Sequence, residues 1–131
     1  MGAKKLIEVK GVKSAGGRPY SPALRVGDYL YIAGQVPIDE QGNTVGLGDP
    51  LAQGRQVLKN IKAITEAAGG TMDDIVRLLI CVTDIRHYFT FFEELRKEFK
   101  PPYPTMTTIC VAALVQQEWC IEIEAVAHLG Q

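Results

Sequence analysis

The fold is decided by Ile75-Val76-Arg77-Leu78-Leu79-Ile80-Cys81-Val82. These eight residues are mostly β-branched or large aliphatic, contain no Gly or Pro, and read as a strand. On either side the apolar spacing becomes helical. Upstream, Asp49 can cap a helix, Pro50 takes its first position and Gly69-Gly70 follow its end. Leu51, Leu58, Ile61, Thr65 and Ala68 fall on one face of that helix. Downstream, a second helix is predicted over about 87–99, with Tyr88, Phe91, Phe92, Leu95 and Phe99 facing inward and Pro101-Pro102 stopping it.

Farther out the pattern is that of hairpins. Ala23-Leu24-Arg25-Val26 and Tyr29-Leu30-Tyr31-Ile32-Ala33 flank a Gly27-Asp28 turn. A weaker strand is expected over 6–9, ahead of a loop over 11–22. Two more are expected over 107–114 and 120–129, separated by the polar Gln116-Gln117-Glu118. A strand–helix–strand unit joined to hairpins implies an α+β fold: a two-layer sandwich of a mixed six-stranded sheet with both helices on one face. Residues 78–82 and 109–114 are apolar at odd and even positions alike. Alternation is expected where the far face meets water, so another copy of the chain is the simplest cover for that face.

The 131 residues, 47% hydrophobic, suit one domain over residues 1–131, with a core that needs neither disulfide nor metal. Lys and Arg number 14 against 15 Asp and Glu, and no basic block exceeds Lys4-Lys5. That balance argues against a charge-driven nucleic-acid or membrane surface. The first residues lack the apolar run of a signal peptide, and no stretch approaches the length of a membrane span, so a cytoplasmic location is expected. Cys81, Cys110 and Cys120 form no Cys-x-x-Cys, and His87 and His128 have no neighbour at ligand spacing. Reduced, buried thiols and no metal are expected.

Glu122 and Glu124 lie two apart in Ile121-Glu122-Ile123-Glu124-Ala125-Val126-Ala127, which puts them on one strand face. If an interface covers that face, a partly desolvated carboxylate there can serve as a general acid or base. Three other segments accompany it: Arg18-Pro19-Tyr20-Ser21-Pro22-Ala23, Ile32-Ala33-Gly34-Gln35-Val36-Pro37 and Tyr103-Pro104-Thr105-Met106-Thr107-Thr108. In this order and spacing the four resemble the reactive intermediate deaminase (Rid, or YjgF-like) family. Residues 60–69 look like that family's first helix.

The resemblance implies a chorismate-mutase-like fold, a homotrimer with a cleft at each subunit interface, and hydrolysis of enamines or imines without metal or cofactor. It puts the family's motif Tyr on Tyr20, its backbone N–H donor on Gly34 and its water-positioning Glu on Glu122. Four positions depart: Met106 stands for the substrate-carboxylate Arg, Ala33 for a Ser, Thr108 for a Cys and Phe92 for an Asn. A thioether has neither charge nor donors, so the usual 2-imino acids lose their grip unless another cation, Arg18 or Arg25, takes over.

The expectation is a deaminase of a small enamine or imine. A ring-cleavage-pathway deaminase of the aminomuconate type and a non-catalytic small-molecule-binding protein are the alternatives. Ser21 has no His in a matching motif and reads as a turn residue beside Pro22. Gly46-Leu47-Gly48-Asp49-Pro50-Leu51 begins like a dinucleotide loop, but Leu51 takes the third Gly position.

Overall fold

The computed structural model describes residues 3–13 and 17–130; residues 1–2, within the N-terminal stretch read above, and 14–16, within the expected 11–22 loop, lie outside the described residues. Its elements follow in the order β1 (Lys5–Leu6), β2 (Ala23–Val26), β3 (Tyr29–Gln35), α1 (Pro50–Ala67), β4 (Ile75–Val82), α2 (Arg86–Glu98), β5 (Thr105–Cys110) and β6 (Ile121–His128), with a 3₁₀ turn at Met72–Asp74. They form one mixed sheet in the order β1-β2-β3-β6-β4-β5, in which β4 and β5 run parallel and every other pair antiparallel.

Both helices cover the same face. Along β6, Ile121, Ile123, Ala125 and Ala127 are buried, whereas Glu122, Glu124, Val126 and His128 alternate with them and stay half exposed. The buried set joins Leu30, Ile32, Leu78 and Ile80 from the sheet with Val57, Ile61, Ile64, Phe91 and Leu95 from the helices in one core. Asp49 caps α1, accepting from the Ala52 N–H at 3.1 Å. Gly54 lets the two helices close: a Cβ there would lie 2.4 Å from the ring of Phe91.

Four expectations need correction. The strand expected over 107–114 is Thr105–Cys110, because β5 pairs only with β4 and Val82, the last residue of β4, stands opposite Cys110. One further bond, Val111 N–H to Val82 O at 2.8 Å, ends the pairing. The first strand is shorter and earlier than 6–9, since its register is set by Arg25 and Leu24 of β2. Phe92 does not face inward: Phe91 and Leu95, four apart, take the buried stripe, and Phe92 is 41% exposed at its margin. The cysteines are free but not buried, Cys110 being exposed on the edge strand and Cys81 and Cys120 half-buried.

The far face of the sheet carries Tyr29 and Tyr31, each about half exposed, with half-buried Leu79, Cys81 and Val126 among the carboxylates. Nothing in the chain lies over it among the described residues.

Candidate active site

Register brings the first group of site residues together. β3 pairs with β6 as Ile32 to Ala125 and then Gln35 to Ile123, so three steps on β3 match two on β6. The extra residue is a bulge at Ala33-Gly34, which bends the strand and re-aims its end. Gly34 thereby comes under the side chain of Glu122; a Cβ on residue 34 would stand 2.3 Å from Glu122 Oε1 and 2.8 Å from its Cδ. The absence of a side chain at 34 is what admits the carboxylate.

Glu122 is half-buried, and burial, reinforced by the charge of Glu124, pushes its carboxyl above the usual carboxylate range. Among the described residues Glu124 has a partner that Glu122 lacks, the Arg77 guanidinium at 3.6 Å. Directly opposite Glu122 on β4 is Cys81, whose thiol is pushed up by burial and by both carboxylates. A thiol held protonated is a poor nucleophile. Tyr20, 53% exposed, lines a small cleft of about 50 Å³ with Ala33, Gly34, Lys13 and Asn60. Its hydroxyl accepts from Arg18 Nη1 at 3.3 Å.

The second group stands elsewhere. Met106 pairs with Leu78, which is buried beneath the helices, and so faces the opposite side of the sheet from Glu122. Thr108, two residues on and paired with the buried Ile80, faces the same way. Met106 and Phe92 line a pocket of about 180 Å³ with Leu95, Arg96, Phe99, Tyr103 and Pro104. Two strand spacings and three residues separate Met106 from Glu122 in the ladder, on the order of 14 Å along the sheet. The residues singled out from the sequence thus fall into two groups: Tyr20, Ala33, Gly34 and Glu122 in one, Met106, Phe92 and Thr108 in the other.

Of the two cations considered from the sequence, Arg25 is engaged by its own hairpin, donating to Gly27 O at 2.9 Å, with Asp28 at 3.8 Å. Arg18 stays with Tyr20. Two supporting residues went unread. Asn60, almost wholly buried, donates to Val36 O at 3.2 Å and Ile38 O at 3.0 Å, fixing the chain just beyond Gly34. Gln53 donates to Gly46 O and Glu118 O and accepts from the Cys120 N–H at 2.8 Å, tying two loops to the start of β6. A polar residue on the apolar side of α1 was the available signal for both.

The sequence pattern of the family described as Endoribonuclease L-PSP matches residues 12–129 of this chain. A RutC family protein of Pyrococcus horikoshii is 38% identical over 110 residues, which span 84% of this chain and 86% of that protein. The chain belongs to the Rid (YjgF-like) family. Among solved structures, the Rid-family protein YyfA from Yersinia pestis superposes with a TM-score of 0.90 at 39% identity, over 96% of this chain and 99% of YyfA. E. coli TdcF, solved with bound serine, gives 0.79 at 32% identity, over 97% of this chain and all of TdcF. The Rid fold, a mixed six-stranded sheet with two helices, is therefore that of the present chain.

Proposed function

We propose that this Rid-family chain hydrolyses a small enamine or imine to a carbonyl compound and ammonia, in a cleft completed by a second copy of the chain within a homotrimer. The observation that carries the reading is the seating of Glu122 against Gly34. A carboxylate whose pKa is raised above its ordinary range is a stronger base than a solvated one and can still return the proton. In the proposed step an enamine first takes a proton at its β-carbon to give the protonated imine, and Glu122 then takes a proton from water as the water oxygen attacks the imine carbon. In the resulting carbinolamine Glu122 returns that proton to nitrogen, the C–N bond breaks to release ammonia, and the hydroxyl proton passes to the freed Glu122 carboxylate as C=O forms. The Gly34 N–H and the Tyr20 hydroxyl would hold the polar end of the substrate.

The open sheet face and the division into half-sites support the trimer, since a neighbouring copy can set its Met106 pocket against Glu122. The serine bound to TdcF is a small amino acid, the size class such a cleft would take. Met106 and Phe92 argue for a more apolar substrate than the usual 2-imino acids. Their pocket also supports a second reading, a protein that holds an apolar ligand without turning it over. The nuclease in the family's description gains nothing here, since a chain of net charge −1 offers no basic stripe to a phosphate backbone. Ammonia release from a panel of enamines, compared between the wild type and Glu122→Gln, decides the matter. A loss of at least about a hundredfold is expected, and an unchanged rate on every active substrate defeats the assignment.

A further inference from the structure

The Rid reading leaves the substrate's negative end unheld, because Met106 occupies the place of the Arg. We infer that Arg96 supplies the missing cation, and that the pocket beside it takes a carboxylate attached to an aromatic or similarly bulky apolar group. This rests on the reading of the Met106 pocket as half of the substrate cleft.

Arg96 is the polar residue on the rim of that pocket, four residues along α2 from Phe92. Its guanidinium carbon lies 4.9 Å from the centre of the Phe92 ring. A guanidinium held over a ring face is restrained there, and the half-exposed Arg96 keeps N–H groups free to pair. The carboxylate it now meets is Glu93, 3.6 Å away on the same helix and 72% exposed. So loose and exposed a pair contributes little, and a ligand carboxylate accepting two parallel hydrogen bonds can displace it.

The remaining lining is Phe92, Leu95, Phe99, Tyr103, Pro104 and Met106, an apolar wall with a single hydroxyl. Its volume of about 180 Å³ slightly exceeds the roughly 150 Å³ of a dry cavity known to accept benzene. A methyl-sized side chain would leave it mostly empty, whereas this half-open pocket has room for one aromatic ring. Arg18 and Arg25 do not compete: the first is hydrogen-bonded to Tyr20 in the other half-site and the second to its own turn.

Calorimetric titration of the intact protein with phenylacetate, phenylacetamide and acetate tests the inference. Phenylacetate should bind at least about tenfold more tightly than either of the others. Arg96→Gln should erase the advantage of acid over amide while leaving the amide's affinity within roughly twofold, and Arg96→Lys should keep part of the advantage. Equal affinity for acid and amide would overturn the inference. So would an advantage that survives Arg96→Gln, one abolished instead by Arg18→Gln, or a failure of every probe to bind because a second copy fills the pocket. Ammonia release by the wild type, measured in parallel, keeps the two readings apart. An Arg96-dependent preference without turnover on any enamine leaves this inference standing and removes the deaminase.

Discussion

At position 34 any side chain must displace Glu122, since the nearest atoms to a new Cβ are the carboxylate oxygen and its carbon. Those atoms end a flexible side chain, so Gly34→Ala should fold with nearly the wild-type melting temperature. The carboxylate would shift by about an ångström, however, and ammonia release should fall by roughly a hundredfold. Steady-state kinetics beside thermal melting check both halves of that expectation. The raised carboxyl of Glu122 has a second consequence. Because the folded protein holds this proton more tightly than the unfolded chain, ionising Glu122 works against folding as the pH rises above the ordinary carboxylate range. Glu122→Gln should therefore gain melting temperature relative to the wild type, and the gain should grow as the pH rises above the ordinary carboxylate range, levelling off once the wild-type carboxyl is ionised. Over the same span wild-type turnover should rise, since the ionised form is the base. Met106→Arg puts a cation at the family's own Arg position and fills apolar space that a methyl-sized substrate leaves empty, and turnover of 2-iminopropanoate made in situ should increase by about tenfold or more. No gain would mean that the cleft around Met106 has been rebuilt for other work.

Where α1 crosses α2, Gly54 faces a ring with no freedom to move, because Phe91 is only 2% exposed. Alanine favours a helix over glycine by up to about 1 kcal/mol, but overpacking a full core costs about 1–3 kcal/mol. The clash should win, so Gly54→Ala should melt several degrees lower, and adding Phe91→Leu should recover part of the loss. Asn60→Leu would take one of two donors from each of the Val36 and Ile38 carbonyls, which keep the Ile38 N–H and Gln56 Nε2, at a cost of about 1 kcal/mol, readable in a denaturant titration. Elements of this kind were legible in the sequence wherever their limits are local. The cap at Asp49 and the β-branched run at 75–82 gave α1 and β4 their bounds. The limit of β5 comes instead from the length of its partner, and no composition reports that: Ile109–Leu114 reads as one apolar run although the strand stops at Cys110. Glu122 and Gly34 were each readable, but their contact needs the bulge and the register between two strands 85 residues apart in the chain. Arg96 sits four residues from Phe92, a spacing that puts both on one side of α2, but nothing in the sequence ties that side to Met106 on β5.

For the molecule as a whole, the decisive property is that the site residues face two directions. Glu122 points from the open face, and Met106 lies under the helices at the sheet's far edge. A cleft built from both must borrow one half from a neighbour, so assembly and activity should fail together. Tyr31→Asp places a charge in the middle of the open face, where Tyr31 stands opposite Val126. Light scattering should then give the 14.4 kDa of one chain in place of three times that mass, with turnover lost. Loss of activity could also follow from a damaged fold, and a mixing experiment removes that ambiguity. Glu122→Gln disables one half-site and Met106→Asp, which sets a charge in the apolar pocket, disables the other, so either variant alone should be inactive. Refolded together in equal amounts, the chains assort at random. Half the subunits then offer an intact Glu122 and half the neighbours an intact pocket, so roughly a quarter of the clefts should be whole. A site contained in one chain would recover nothing, because every chain in the mixture carries a lesion. Recovery near a quarter of the wild-type rate is the outcome that two half-sites on opposite faces of one sheet require.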